Sequence, residues 1–386
     1  MPMLEHDAYI LLNLLGGIGP ARAASLIENF GSASAVFEQK ADDLKTVRGI
    51  SEELANRIVE HSKSSLLDEE LDRIALGGVH VYTRADEDYP EPFRNMEDAP
   101  LALYVCGTLQ PGAERKTIAI VGSRRATVYG QKIAQHLAES AAYSGWTVIS
   151  GLAFGIDAMA HKSCMNAGGT TIAVLGGGLM KIQPADHIPM ARDIIAKGGA
   201  IITEFPMTYP PSRHSFPMRN RIISALSQGT IVVEAGLHSG ALITASAALE
   251  QGKSVFAVPG NVDSDMSSGC NQLIRSGEAS LVTSFEDVLE AMDFLPGIEP
   301  APSGFLSAKE NGEEEEEEEV FQSAVDDSLS ESGKQILEAL KSGEMSFDRL
   351  SSMTGIAAGE LSRKLVALEI SHKIKRTANG YARLRT

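Results

Sequence analysis

The chain has 386 residues, 43% of them apolar and 22% charged, with a formal net charge of −17. That is enough apolar material for two or three domains with cores of their own, and no run of about 18 apolar residues that would span a membrane is present. The start, Met1-Pro2-Met3-Leu4-Glu5-His6-Asp7, lacks the basic region of a secretory signal, so a cytoplasmic location is expected. Cys106, Cys164 and Cys270 are too widely spaced, and odd in number, for a disulfide framework or a zinc cluster. They are expected as free core thiols, with no metal and no cofactor.

The first expected domain, residues 1–65, reads as short helices punctuated by Gly16-Gly17-Ile18-Gly19-Pro20 and Val47-Arg48-Gly49-Ile50-Ser51. Two helix-hairpin-helix units of SAM-like type fit this pattern. Small residues at such hairpins let backbone N–H groups approach a phosphate, but they also make plain tight turns in an interaction module, and Ser51 stands where a glycine is expected. Ser65 to Gly112 then carries two apolar runs, Val79 to Tyr82 and Leu101 to Cys106, read as edge strands of the next domain.

From Thr117 to Met292 strands and helices alternate, within an expected domain over residues 66–296. The strand runs are Thr117–Val121, Thr147–Ser150, Thr170–Leu175, Ala200–Thr203, Thr230–Val233 and Ser254–Val258. They are apolar on both faces and joined by helical patterns, which predicts an α/β fold with a mostly parallel, Rossmann-like doubly wound sheet. Ligands of such sheets bind at the carboxyl ends of the strands. Those ends carry Gly122-Ser123-Arg124, Gly151, Gly176-Gly177-Gly178, Glu204, Glu234-Ala235-Gly236 and Pro259-Gly260. The Gly122-Ser123-Arg124 turn runs into a helix, an arrangement suited to phosphate.

Residues 297–330 form an acidic linker with eleven carboxylates against one lysine, a net of −10. The overall negative charge argues against nucleic acid, but most of it is confined to this linker. Arg115 to Ala138 holds five Lys/Arg and no carboxylate, and Ala158 to Ala185 and Phe205 to Val233 hold no carboxylate either. Residues 331–386 turn basic and read as helices near Gly333–Leu340, Ser346–Met353 and Ala358–Leu368, followed by a hairpin across Asn379-Gly380. A winged helix fits best, and winged helices contact either DNA or protein.

Five ordered motifs now read together: Gly122-Ser123-Arg124-Arg125-Ala126-Thr127, Ser150-Gly151-Leu152-Ala153-Phe154-Gly155-Ile156-Asp157, Phe216-Pro217-Met218-Arg219-Asn220-Arg221-Ile222-Ile223, Ser239-Gly240-Ala241-Leu242-Ile243-Thr244-Ala245 and Val258-Pro259-Gly260. This set resembles the DNA-processing protein A family (DprA, also called Smf), and both flanking modules agree with its common architecture. The resemblance implies a homodimer that binds single-stranded DNA and loads the RecA recombinase on incoming DNA during natural transformation. Two departures, Cys270 where the family usually has Thr and Gln183 where it usually has Tyr, carry no charge and predict local repacking only.

The resemblance further implies that Arg124 and Arg213 contact DNA phosphates and that Phe216 stacks on a base. An arginine fork beside helix N-terminal amides suits phosphate, and stacking suits a strand whose bases are splayed out. A structural ion pair is the other reading for Arg124, and a core ring for Phe216. The expected single-stranded DNA site comprises Gly122, Ser123, Arg124, Gly151, Arg213, Phe216, Arg219, Asn220, Ser239 and Gly240. Arg219 and Arg221 flank Asn220 at the start of a helix expected over Ile222–Leu226, with Arg219 facing the pocket and Arg221 paired with Glu234 or Glu204. His161 is read as structural, since no second ligand stands at metal spacing.

No catalytic residue is expected. The rival reading is a nucleotide-binding enzyme related to Rossmann-like phosphoribohydrolases, which place a catalytic Glu after a glycine loop. Here Gly240 is followed by Ala-Leu-Ile-Thr, without that acid/base group. A nicotinamide dehydrogenase would want Gly-x-Gly-x-x-Gly after the first strand, where this chain has Gly-Ser-Arg-Arg-Ala-Thr.

Overall fold

The computed structural model of the chain describes residues 3–109, 116–292, 331–356 and, beyond these, 361, 364, 365, 368, 373–377 and 380–383. The chain divides into two units, Met1–Pro300 and Ala301–Thr386. The acidic stretch 297–330 lies outside the described residues.

Helices α1 (Glu5–Leu14), α2 (Pro20–Phe30), α3 (Ala33–Val36), α4 (Ala41–Leu44) and α5 (Glu52–His61) close around Leu11, Leu12, Leu26, Val36, Leu44 and Ile58. Both hairpin glycines take left-handed backbone, Gly17 at φ +90° and Gly49 at φ +87°, which a side chain would strain. Ser51 has its own reason to stand at the second hairpin: its Oγ accepts the Leu54 N–H at 3.2 Å and caps α5. Arg22 and Arg57 donate to the Gly17 and Gly16 carbonyls, each at 2.6 Å.

Helix α6 (Leu66–Gly77) leads to β1 (His80–Thr83), α7 (Glu91–Arg94) and β2 (Ala102–Gly107). Ile10 of α1 packs with Val81, Ala102, Tyr104 and Met207, which seats the helical module on these strands. The central elements follow as β3 (Thr117–Val121), α8 (Val128–Tyr143), β4 (Thr147–Ser150), α9 (Ile156–Asn166), β5 (Thr171–Val174), α10 (Ile188–Ala196), β6 (Ala200–Thr203), α11 (Ser215–Ala225), β7 (Gly229–Val232), α12 (Gly240–Glu250), β8 (Ser254–Ala257), α13 (Ser268–Arg275), β9 (Ser280–Leu281) and α14 (Phe285–Ala291).

They build a nine-stranded sheet in the order β1-β2-β6-β5-β4-β3-β7-β8-β9. The pairs from β6 through β9 are parallel, while β1–β2 and β2–β6 are antiparallel, so the connector supplies one edge as the sequence predicts. Alternate residues of each strand enter opposite cores. Ile118 and Ile120 pack with Leu137 and Ala160 on one side, and Ala119 and Val121 with Ile222 and Ala245 on the other. Each fully buried branched side chain contributes about 1.5–3 kcal/mol, which is why these strands read as unbroken apolar runs. Ala241, Ala245 and Ala248 of α12 are buried in the second core, so this small-residue stripe packs within the chain.

The winding runs from β3 through β4 and β5 to β6 on one side and from β7 to β9 on the other. Strands β3 and β7 are neighbours at the reversal, where doubly wound sheets open a crevice. Of the cysteines, Cys164 and Cys270 are buried thiols, whereas Cys106 is only half-buried.

In the second unit α15 (Glu331–Ala339) and α16 (Phe347–Thr354) precede the antiparallel hairpin β10 (Ile374–Thr377) and β11 (Gly380–Arg383). Ile336, Leu340, Leu350 and Ile374 form its core. The third helix expected over Ala358–Leu368 and residue Asn379 of the turn fall largely outside the described residues.

Candidate nucleic-acid interface

The crevice at the β3/β7 reversal is a cavity of about 810 Å³ whose lining includes Gly122, Ser123, Arg124, Arg213, Phe216, Arg219, Asn220, Ser239 and Gly240. It is assembled by backbone close approaches. A Cβ on Gly122 would lie 2.6 Å from Ile156 Cγ1 and 3.0 Å from the Glu234 carbonyl oxygen, and the Ser123 N–H donates to that same oxygen at 2.6 Å. The Glu234 carboxylate accepts from the Thr127 N–H at 2.8 Å and from the Thr127 hydroxyl at 2.7 Å. Thr127 in turn caps α8 through the Gly130 N–H. The loops after β3 and β7 are thus one rigid unit, and Glu234 belongs to it rather than to Arg221.

Arg124 and Arg213 are exposed at the mouth, and neither is in an ion pair among the described residues. The ion-pair reading of Arg124 finds no partner there. Phe216 is half-buried and lines the cavity, with its ring against the Gly176 backbone, where a Cβ would meet Cδ1 at 2.7 Å. The Arg124 guanidinium carbon lies 4.9 Å from the Phe216 ring centroid and that of Arg219 lies 5.9 Å away, both within cation–π range.

Arg219 differs from the sequence expectation. Helix α11 begins at Ser215, not at Ile222, so Arg219 sits in its second turn and is 4% exposed. It turns inward, donating from Nη1 to the Gly151 carbonyl at 2.6 Å and to that of Val174, and from Nε to Asn220 Oδ1 at 3.1 Å. Burial pulls its guanidinium down to about 10, against the pull of Asp157, which leaves it cationic at neutral pH. Gly151 stands behind it and does not line the cavity: a Cβ there would fall 2.3 Å from Arg219 Nη1. Asn220 Nδ2 donates to the Gly240 carbonyl at 3.1 Å and so ties α11 to the start of α12. Arg221 pairs with Glu204 and, at 3.2 Å, with Asp98.

Ser239 caps α12, its Oγ accepting the Ala241 N–H at 3.3 Å, and Gly240 is exposed beside it. An exposed helix start next to arginines is a site for a phosphate oxygen. Asp157 is buried, its Oδ2 accepting from Gly151 N–H at 3.1 Å and Ala153 N–H at 3.4 Å. Burial raises its carboxyl while Arg219 opposes the rise. His161 is structural here: its Nδ1 bonds Thr171 Oγ1 at 2.7 Å and its Nε2 accepts the Leu152 N–H at 3.4 Å.

Arg125, Leu237, His238 and Asp265 also line the cavity and were absent from the expected set. Arg125, Leu237 and His238 follow the glycines after β3 and β7, so the strand-end rule could have found them. Asp265 arrives from the loop before α13, and no local signal marks it.

A family model described as DNA recombination-mediator protein A matches residues 80–293, a SAM-like helix-hairpin-helix tandem matches residues 10–64, and a DprA winged helix domain matches residues 322–380. The chain is 38% identical to Protein Smf of Escherichia coli (strain K12) over 306 residues, 79% of this chain and 78% of that protein. It is 30% identical to Protein Smf of Synechocystis sp. over 381 residues, 95% of each. Among solved structures it is similar to DNA processing protein A (DprA) from Streptococcus pneumoniae, with TM-score 0.64 and 30% identity over 75% of this chain and 98% of that one. With residues 80–293, more than half of the chain, matched by the family model and such relatives aligned over most of both lengths, the chain belongs to the DprA/Smf family.

Proposed function

We propose that the protein binds single-stranded DNA in the β3/β7 crevice and hands the strand to a RecA recombinase during DNA uptake and recombination. The observation that carries the binding step is one cavity holding two exposed arginines, an exposed helix start and a half-buried aromatic ring. The arginines and the amides suit a phosphate backbone, and the ring suits an unpaired base. Family membership and the relatives' naming as DNA-processing proteins support the same reading. Transfer to RecA and action as a homodimer rest on the family alone, and a cytoplasmic site of action is the expectation drawn from the sequence. No helix among the described residues is long and apolar enough to cross a membrane.

The protein acts by binding rather than by catalysis in this reading. Of the two carboxylates that line the cavity, Asp157 is committed to the Gly151 and Ala153 amides while Asp265 comes from the loop before α13, and the loop after Gly240 offers no acid in place of the phosphoribohydrolase Glu.

The test is fluorescence anisotropy with single- and double-stranded oligonucleotides across a salt titration. Single strands should bind more tightly, because a paired base must first be unstacked to reach Phe216, and log affinity should fall linearly with log salt. Equal affinity for duplex would remove the crevice as the binding site. Base release from AMP would favour the enzyme reading, and RecA filament assembly on coated single strands that is unchanged by the protein would remove the transfer role.

A further inference from the structure

We propose that Phe154, in the loop between β4 and α9, is a second base-stacking platform on which a single strand leaving the crevice continues across the carboxyl edge of the sheet. The inference rests on single-strand binding at the crevice and extends that site.

Phe154 is 45% exposed, although it stands between the buried residues that start α9 and the strained end of β4. Its backbone is fixed from both sides. Leu152, at φ +56°, is the one residue other than glycine with a left-handed backbone among the described residues. Two histidines hold its peptide groups: His161 Nε2 accepts the Leu152 N–H at 3.4 Å, and His187 Nδ1 donates to the Leu152 carbonyl at 2.9 Å. On the other side Gly155, at φ +77°, lies so close to the β3 loop that a Cβ would fall 2.2 Å from the Ser123 carbonyl oxygen and 2.8 Å from the Arg124 carbonyl carbon. The Phe154 loop therefore rests on the backbone of Arg124, the exposed arginine of the crevice, and Ala153 beside it lines the cavity.

The ring is positioned as well. His187 packs edge-on against it, ring centroids 4.7 Å apart at 67°, so the imidazole that clamps Leu152 also sets the aromatic. An exposed aromatic on an over-determined loop has few rotamers to lose on contact, and its uncovered area is available to the face of a base. Phe216, on the first turn of α11, and Phe154, on the loop before α9, both neighbour Arg124: its guanidinium lies over the Phe216 ring, and its backbone adjoins Gly155 next to Phe154. A strand whose phosphate is held by Arg124 then has one ring at Phe216 and, in this proposal, a second at Phe154, the alternation of charge and ring that sequence-tolerant single-strand binders use.

The experiment compares the full chain with Phe154→Ala and Phe154→Trp on a series of dT oligomers of increasing length. Phe154→Ala should weaken binding of the longer oligomers by roughly tenfold while leaving the shortest ones unaffected, with the salt slope unchanged, since a ring face releases no counterion. Phe154→Trp should keep wild-type affinity, and its emission should be quenched when dT binds. Trp146, the chain's one tryptophan, is 2% exposed, so its signal stays constant and reports that each variant is folded. Wild-type affinity of Phe154→Ala at every length, or an unquenched Phe154→Trp bound to dT, would overturn the platform while leaving the crevice intact. Wild-type protein that binds no dT at all would remove both.

Discussion

Arg124 lies over the ring of Phe216, 4.9 Å from guanidinium carbon to ring centroid, so the residue proposed as phosphate ligand and the residue proposed as stacking surface are in contact with each other. A base reaching Phe216 either displaces Arg124 toward a phosphate or stacks beneath its planar guanidinium. In both cases the two residues act together. Arg124→Ala should flatten the slope of log affinity against log salt by roughly 0.7, and Arg213→Ala by the same amount. Phe216→Ala should cost about 1–3 kcal/mol with the slope unchanged. The Arg124→Ala/Phe216→Ala double variant should lose less than the sum of its singles, because each removes a partner of the other. Strict additivity in this cycle would mean that the contact is not used in binding.

Arg219 shares the same ring but has a different task. Its Nη1 satisfies the Gly151 and Val174 carbonyls inside the sheet edge, so Arg219→Met should leave two buried acceptors and Asp157 uncompensated. We expect destabilisation of about 3 kcal/mol or more in denaturant unfolding, against less than about 0.5 kcal/mol for the exposed Arg124→Met. Gly151→Ala should reproduce the Arg219 phenotype, since its Cβ would occupy the place of Nη1. Equal stabilities of the Arg219 and Arg124 variants would contradict the division of labour.

What the sequence made legible follows from how local each signal is. Thr117–Val121 and Ala200–Thr203 could be bounded to the residue because each apolar run, buried on both faces, is broken by the next residue, Gly122 after β3 and Glu204 after β6. The crevice residues were legible for a related reason: a parallel sheet sends every strand-end loop to one edge, so motifs far apart in the chain converge. The burial of Arg219 was not legible, because it depends on α11 starting at Ser215. That start is set by the Ser215 hydroxyl, which accepts from the Ser212 N–H and donates to the Gly176 carbonyl. Likewise the pairing of Arg221 with Asp98 joins segments with no sequence relationship.

The helix-hairpin-helix module carries a prediction of its own. Arg22 and Arg57, two basic side chains at its hairpins, are engaged by the Gly17 and Gly16 carbonyls, and Arg57 also pairs with Glu53 at 2.8 Å. A guanidinium used to close a hairpin is poorly placed to release a counterion. The Arg22→Ala/Arg57→Ala variant should therefore keep the wild-type salt slope on single strands, within about 0.2 of a contact on the scale of 0.7 per phosphate. A drop in slope comparable to that of Arg124→Ala would bring the hairpins into the DNA path.

His161 makes the acid limb of stability predictable. Burial is the main cause that pulls its imidazole down to about 3, with His187 and Arg219 adding to the effect, and the neutral ring is needed because Nε2 accepts the Leu152 N–H. In the unfolded chain the ring titrates near its ordinary value of about 6.5. Between pH 6.5 and 3 the unfolded state therefore binds a proton that the folded state refuses, so stability falls as pH drops through that window and is unaffected above it. At pH 5 the loss from this one group is about 2 kcal/mol relative to pH 7. His161→Gln retains an acceptor but cannot be protonated, so denaturant unfolding at pH 7 and pH 5 should show the wild-type loss reduced by that amount in the variant. If both proteins lost the same stability between the two pH values, His161 would be titrating normally and the clamp on Leu152 would not depend on its neutral form.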